Sequence, residues 1–186
     1  MPSEETFLII GAGLAGAKAA ETLRAEGFDG RVVLVGEEAE RPYERPPLTK
    51  GFLLGKDEQD QTYVHDAGWY AEHEVETRFG VAAEALDRSA HEVRLADGER
   101  LRYDRALLTT GASVRRLTVP GSHLDGLFHM RTISESEALR TALVLGGLRV
   151  VVAGAGWIGL ETAAAAREYG NEVTIVDPEP TPLRRS

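Results

Sequence analysis

Two stretches of the chain repeat one arrangement of apolar and polar positions. Phe7 to Ile10 and Val150 to Ala153 are short apolar runs suited to buried parallel strands. Each leads through glycines into an alanine-rich amphipathic stretch that predicts a helix. Each helix is expected to end at a glycine, Gly27 in the first copy and Gly170 in the second. A second apolar run follows in both, Val32 to Val35 before Glu37 and Val173 to Val176 before Asp177. The pattern predicts two βαβ units, residues 7–37 and 149–177. Between them the pattern changes. Arg41 to Lys50 is stiffened by Pro42, Pro46 and Pro47 and can be neither regular helix nor central strand. Residues 57–73 have the spacing of a short surface helix, and Val75 to Leu86 suggests one further strand. His91 to Leu95 and Arg100 to Tyr103 flank Asp97-Gly98, a hairpin signal. Arg105 to Thr110 predicts a strand and Ser134 to Val144 a helix, with Gly146-Gly147 as the junction before the second unit.

The glycines carry the chemistry. The first unit reads Gly11-Ala12-Gly13-Leu14-Ala15-Gly16 and the second Gly154-Ala155-Gly156-Trp157-Ile158-Gly159. In a dinucleotide-binding fingerprint the first glycine makes the tight turn and the second admits a pyrophosphate. The third lets helix and strand pack closely, and an acid about 20 residues on accepts the ribose hydroxyls. Unpaired N–H groups at the helix N-terminus favour the phosphates. Glu37 and Asp177 stand where that acid belongs. Two such units suggest two nucleotides in one chain, hence electron transfer between them. A glycine fingerprint alone is only a tight strand–helix turn, and the strand, helix and acid around each copy are what raise it above that.

Composition narrows the rest. With 21 basic and 30 acidic residues the formal charge is −9, which argues against a general nucleic-acid partner. There is no cysteine, so disulfides, thiolate metal sites and a redox-active cysteine pair are excluded. The five histidines show no metal-ligand spacing and read as surface or loop residues. Glu72, Glu74 and Glu76 read as a solvated face. Met1 to Thr6 is polar, no apolar run approaches the ~20 residues of a membrane span, and a soluble cytoplasmic protein is expected. Only Pro178 to Ser186 follows the second unit. A lone βαβ unit cannot cover both faces of its strands, so the chain is expected to be a truncated piece.

With these residues in hand, the chain resembles the FAD-dependent pyridine-nucleotide oxidoreductases, and within them the ferredoxin reductases that serve haem monooxygenases and ring-hydroxylating dioxygenases. The most specific segments are Pro42-Tyr43-Glu44-Arg45-Pro46-Pro47-Leu48-Thr49-Lys50 and Gly156-Trp157-Ile158-Gly159-Leu160-Glu161. Thr109-Thr110-Gly111-Ala112 is similar to the family's Ala-Thr-Gly segment, with Thr109 in place of the usual alanine. The resemblance implies an α/β fold: a Rossmann-like three-layer FAD/NAD(P)-binding domain with an inserted antiparallel meander, then the start of a second Rossmann-like domain. The expected boundaries are 1–146 for the FAD-binding domain and 147–186 for the first βαβ unit of the NAD-binding domain.

The resemblance also implies roles. Gly11, Gly13, Leu14, Ala15 and Gly16 would face the FAD pyrophosphate, Glu37 its ribose, and Ala83 the adenine side through its backbone. Arg45 and Lys50 would lie along the flavin, Thr110-Gly111 would close over the dinucleotide, and Arg131 would stand near it. Gly154, Gly156, Ile158, Gly159 and Asp177 would hold the nicotinamide cofactor, the carboxylate of Asp177 favouring NAD over NADP. Lys50, paired with Glu161, would stabilise the anionic reduced flavin, and Trp157 would cover its ring. Hydride would pass from NADH to FAD, and electrons singly to a small iron–sulfur ferredoxin. The plainer alternatives are an exposed lysine, a packed aromatic and a surface helix acid. An NADH-dependent flavin oxidase and a nucleotide-binding piece without turnover are the competing functions, and the lack of cysteine weighs against the first.

Overall fold

The computed structural model describes residues 4–184; residues 1–3, 185 and 186 lie outside the described residues, and with them the polar reading of Met1 to Ser3. The chain divides into two compact units, residues 1–44 with 63–112, and residues 45–62 with 113–186.

In the first unit the fingerprint joins β1 (Thr6–Ile10) to α1 (Leu14–Ala25), and β2 (Arg31–Gly36) follows. The chain then forms α2 (Trp69–Glu72), β3 (Val75–Phe79), β4 (Ala83–Asp87), β5 (Glu92–Leu95), β6 (Arg100–Arg102) and β7 (Arg105–Leu108). A parallel sheet of order β3-β2-β1-β7 forms the middle layer, with Phe7 opposite both Val32 and Arg105. Its central strands are apolar without alternation because both faces are covered. On one face Ile9, Val32 and Leu34 pack with Ala20, Tyr70 and Val75. On the other, Leu8, Ile10, Val33 and Val35 pack with Val93, Leu95 and Leu101 of the antiparallel β4-β5-β6 meander. This is the expected three-layer fold with its inserted meander.

The local signals act as their chemistry dictates. α1 ends in a Schellman motif: Gly27 takes φ +80°, its N–H donates to the Arg24 carbonyl (3.1 Å), and that of Phe28 to Leu23 (2.9 Å). Asp97-Gly98 turns β5 into β6, with Asp97 Oδ1 accepting the Glu99 N–H at 2.9 Å. Residues 75–86 are two strands in different sheets rather than one, parted at Gly80 (φ +78°). The surface helix expected over 57–73 is replaced by a 3-10 turn at Gln59–Thr62 and the single-turn α2. Extended pairing wins there: Tyr63 bridges Tyr43, and the Val64 N–H donates to the Pro42 carbonyl at 2.9 Å.

In the second unit a 3-10 turn, Pro46–Thr49, precedes α3 (Ile133–Leu143), β8 (Arg149–Ala153), α4 (Trp157–Glu168) and β9 (Glu172–Val176). Thr132 and Glu135 form a reciprocal capping box on α3. β8 and β9 pair in parallel, Val150 opposite Val173, and both residues pack against Leu53, Leu139, Leu143, Ala165 and Ala166. The opposite face is open, with Val151 68% and Val176 56% exposed.

One histidine departs from the surface reading. The His65 side chain is only 10% exposed, its ring stacks on Trp69 at 3.9 Å, and His73 stacks on the same indole at 4.3 Å. Burial pushes the His65 imidazole below its usual 6.5, against the pull of Glu21, whose Oε2 lies 3.3 Å from Nε2. The unfolded chain therefore binds the proton more readily, and stability falls as pH drops below about 6.5. The Glu21 carboxyl is itself held low, by the Lys18 hydrogen bond, so its own contribution is lost only at more acid pH. Urea midpoints at pH 7.5 and 5.5 should differ more for the wild type than for His65→Phe, which keeps the stack; equal differences would contradict this.

Candidate functional site

In the first unit the fingerprint has the shape its mechanism requires. Gly11 takes φ +117°, and a Cβ there would stand 2.2 Å from the Thr109 carbonyl oxygen. A Cβ at Gly16 would stand 2.1 Å from the Gly11 oxygen, whereas one at Gly13 would meet nothing within 4 Å. The first and third glycines are thus required by the protein's own backbone, and the second by none of it. Gly13 is the N-cap of α1 with no side chain capping it, and Leu14 and Ala15 in the first turn are exposed, so the helix N-terminus keeps N–H groups that no side chain takes up.

Neighbouring segments are gathered to this loop. β1 lies between β2 and β7, so Glu37 and Thr110-Gly111 follow strands that flank the fingerprint. Glu37 is exposed, and Gly36 lies so close to Ala12 that a Cβ on it would fall 2.5 Å from the alanine methyl. The Val81 N–H donates to the Gly36 carbonyl at 3.0 Å, which leads the chain past the same strand end into Ala83. Thr109, noted in the sequence only as an unusual residue, does more than pack: its hydroxyl donates to the Gly11 carbonyl at 2.8 Å and ties the fingerprint turn to β7.

The second fingerprint repeats the turn and the third-glycine contact, but a Cβ on Gly154, unlike one on Gly11, would meet nothing within 4 Å. Gly154 takes φ +113°, a Cβ on Gly159 would stand 2.0 Å from the Gly154 oxygen, and one on Gly156 would meet nothing within 4 Å. Asp177, at the end of β9, reaches back to this loop: its Oδ2 accepts the Ala155 N–H at 2.6 Å and its Oδ1 the Glu179 N–H at 2.8 Å. Ala155, Gly156, Asp177, Pro178, Glu179 and Arg184 help line a cleft of about 150 Å³. Ile158 is 54% exposed.

Within the same unit the structure joins Lys50 to Glu161, Nζ to Oε1 at 3.4 Å, and brings the Thr49 hydroxyl to Glu161 Oε2 at 2.5 Å. Trp157 and Glu161 are one turn apart on α4, and the indole is 60% exposed. The Arg45 guanidinium donates to the Arg131 carbonyl. Thr49 and Asn171 are the residues that sequence reasoning passed over here; Asn171 is fully buried. No helix among the described residues is long and apolar enough to cross a membrane.

These features agree with comparisons to known proteins. The chain is 42% identical over 184 residues to the anthranilate 1,2-dioxygenase system ferredoxin–NAD(+) reductase component of Burkholderia cepacia, covering 99% of this chain and 45% of that protein. It is 40% identical to rhodocoxin reductase of Rhodococcus erythropolis, covering 97% of this chain and 42% of that one. Among solved structures, the covalent putidaredoxin reductase–putidaredoxin complex matches with a TM-score of 0.94 at 35% identity, over 98% of this chain and 44% of that one. The chain therefore spans under half the length of these relatives. The pyridine nucleotide-disulphide oxidoreductase family model matches residues 5–186, and the chain, with its two glycine fingerprints on Rossmann-like units, belongs to that family.

Proposed function

We propose that this chain carries the FAD-binding part, and the beginning of the NAD-binding part, of a reductase that passes electrons from NADH through FAD to a small iron–sulfur ferredoxin serving an oxygenase. The observation that carries the reading is the repeated fingerprint geometry, in which the middle glycine of each copy faces space that no protein atom fills. A cradle of that shape fits a pyrophosphate on a helix N-terminus. The relatives named as ferredoxin reductase components support the same reading.

We assign residues 1–146 to FAD binding and 147–186 to the start of the NAD-binding domain. Gly11, Gly13, Leu14, Ala15 and Gly16 would hold the FAD pyrophosphate, Glu37 its ribose, and Ala83, Thr110, Gly111, Arg45, Lys50 and Arg131 the rest of the molecule. Gly154, Gly156, Ile158, Gly159 and Asp177 would hold NADH. The Asp177 carboxylate, already anchored to the loop by the Ala155 N–H, repels a 2′-phosphate and so favours NAD. When bound, FAD supplies hydride acceptance and one-electron release, chemistry no side chain of this chain offers. The protein's part is placement and electrostatics. Lys50 supplies a cation where negative charge develops, Glu161 holds that cation in position, and Trp157 would cover the flavin ring.

Replacing Lys50 tests the assignment. In the FAD-loaded chain Lys50→Met should slow flavin reduction by NADH roughly tenfold, because one fixed cation near the developing charge is lost. An unchanged rate in stopped-flow bleaching of the flavin would remove Lys50 from the mechanism. A second reading, FAD binding without turnover, is favoured by the open face of β8 and β9, where Val151 and Val176 lie exposed beside the nicotinamide fingerprint.

A further inference from the structure

We propose that Thr49 is a positioning residue that fixes the Glu161 carboxylate for Lys50; the inference rests on the assignment of the Lys50–Glu161 pair to the flavin. The ion pair alone is loosely held. Nζ and Oε1 are 3.4 Å apart and the Lys50 side chain is 56% exposed, conditions under which a salt bridge fixes little. Thr49 supplies what the pair lacks. It is 5% exposed, and its hydroxyl donates to Glu161 Oε2 at 2.5 Å, the range of a charge-assisted hydrogen bond. Consecutive residues thus hold the two oxygens of one carboxylate.

Thr49 is rigid for identifiable reasons. It closes the 3-10 turn set by Pro46 and Pro47, in which the Lys50 N–H donates to the Pro47 carbonyl at 2.9 Å. The buried Ser136 hydroxyl on α3 donates to the Leu48 carbonyl at 2.7 Å and anchors that turn. A β-branched side chain on a fixed backbone has few rotamers, so the hydroxyl stays aimed at Glu161. Removing it leaves Glu161 free to turn on its own torsions, and the partner of Lys50 moves with it.

The test compares Thr49→Val, which keeps shape and loses the hydroxyl, with Thr49→Ser, which keeps the hydroxyl. In the full chain without flavin, NMR of the wild type should show a slowly exchanging Thr49 hydroxyl proton with a cross-peak to the Glu161 Hγ, and a cross-peak from Lys50 Hε to Glu161 Hγ. Thr49→Val should lose the Lys50–Glu161 cross-peak and Thr49→Ser should keep it. In the FAD-loaded chain, Thr49→Val should slow reduction by NADH about fivefold, the worth of one hydrogen bond, with Thr49→Ser near wild type. A Lys50–Glu161 cross-peak that survives in Thr49→Val would overturn the inference. So would a wild type without the protected hydroxyl proton, a reading that stands even if Thr49→Val does not fold. Cross-peaks as expected in a chain whose flavin no NADH reduces would support the positioning role and count against the reductase reading instead.

Discussion

Gly16→Ala should destabilise the first unit by roughly 3 kcal/mol, the upper part of the overpacking range, and should abolish flavin binding with it. The added methyl would stand 2.1 Å from the Gly11 carbonyl oxygen. That oxygen cannot retreat. Gly11 is held by its own N–H to the Val35 carbonyl at 2.8 Å, and its carbonyl by the Thr109 hydroxyl at 2.8 Å. Against a typical domain stability of about 5–15 kcal/mol, the loss is large enough to read in any urea or thermal melt. Gly13→Ala separates folding from binding. Gly13 has φ −94°, which alanine adopts freely, and its Cβ would enter space with no atom within 4 Å. Its stability should stay within about 1 kcal/mol of wild type, an N-cap alanine being slightly worse than glycine. Its FAD affinity should fall at least tenfold, because that space is where the pyrophosphate approaches. A Gly16→Ala chain as stable as wild type, or a Gly13→Ala chain with undiminished affinity, would contradict this reading of the fingerprint.

Asn171→Leu should cost the second unit about 3 kcal/mol, the sum expected when three hydrogen bonds worth about 1 kcal/mol each break together. Asn171 is fully buried, and its Nδ2 donates to the carbonyls of Leu143 (3.1 Å) and Ala166 (3.0 Å) while its Oδ1 accepts the Leu148 N–H (3.0 Å). One side chain thus satisfies the C-terminal end of α3, the last turn of α4 and the strand leading into β8. Leucine fits by size but leaves the Leu148 N–H without a partner, while the Leu143 and Ala166 carbonyls keep the backbone N–H groups of Gly146 and Asn171. The Schellman closure of α4 would survive, since it uses the Asn171 backbone N–H to the Ala166 carbonyl at 3.1 Å. The loss should therefore appear as a lower unfolding midpoint and as faster hydrogen exchange of the Leu148 amide. An unchanged midpoint would mean that water replaces the amide.

The legible parts of this fold are those written locally. Both βαβ units could be read because an apolar run, a glycine turn and an alanine-rich helix lie within about 30 residues, and Gly27 and Gly170 mark the helix ends by the positive φ that a Schellman closure needs. The Asp97-Gly98 turn was visible for the same reason. Residues 57–73 misled because helical spacing there yields to backbone pairing with Pro42 and Tyr43, distant in sequence. His65, read from the sequence as a surface or loop residue, is instead largely covered, because its ring stacks on the Trp69 indole that the fold brings to it. At the candidate site, Lys50, Trp157 and Glu161 followed from a resemblance. Thr49, Thr109 and Asn171 did not, because a hydroxyl or amide has meaning only through the partner the fold brings to it.

The most direct measurement is the visible spectrum of the purified chain after incubation with FAD and removal of the free flavin, before and after anaerobic NADH. Flavin bands retained by the wild type, lost in Gly13→Ala and bleached by NADH are the expected result. A folded wild-type chain that retains no flavin would contradict the assignment of the first fingerprint to FAD. Bands that persist under NADH would leave flavin binding in place and contradict the working nicotinamide half.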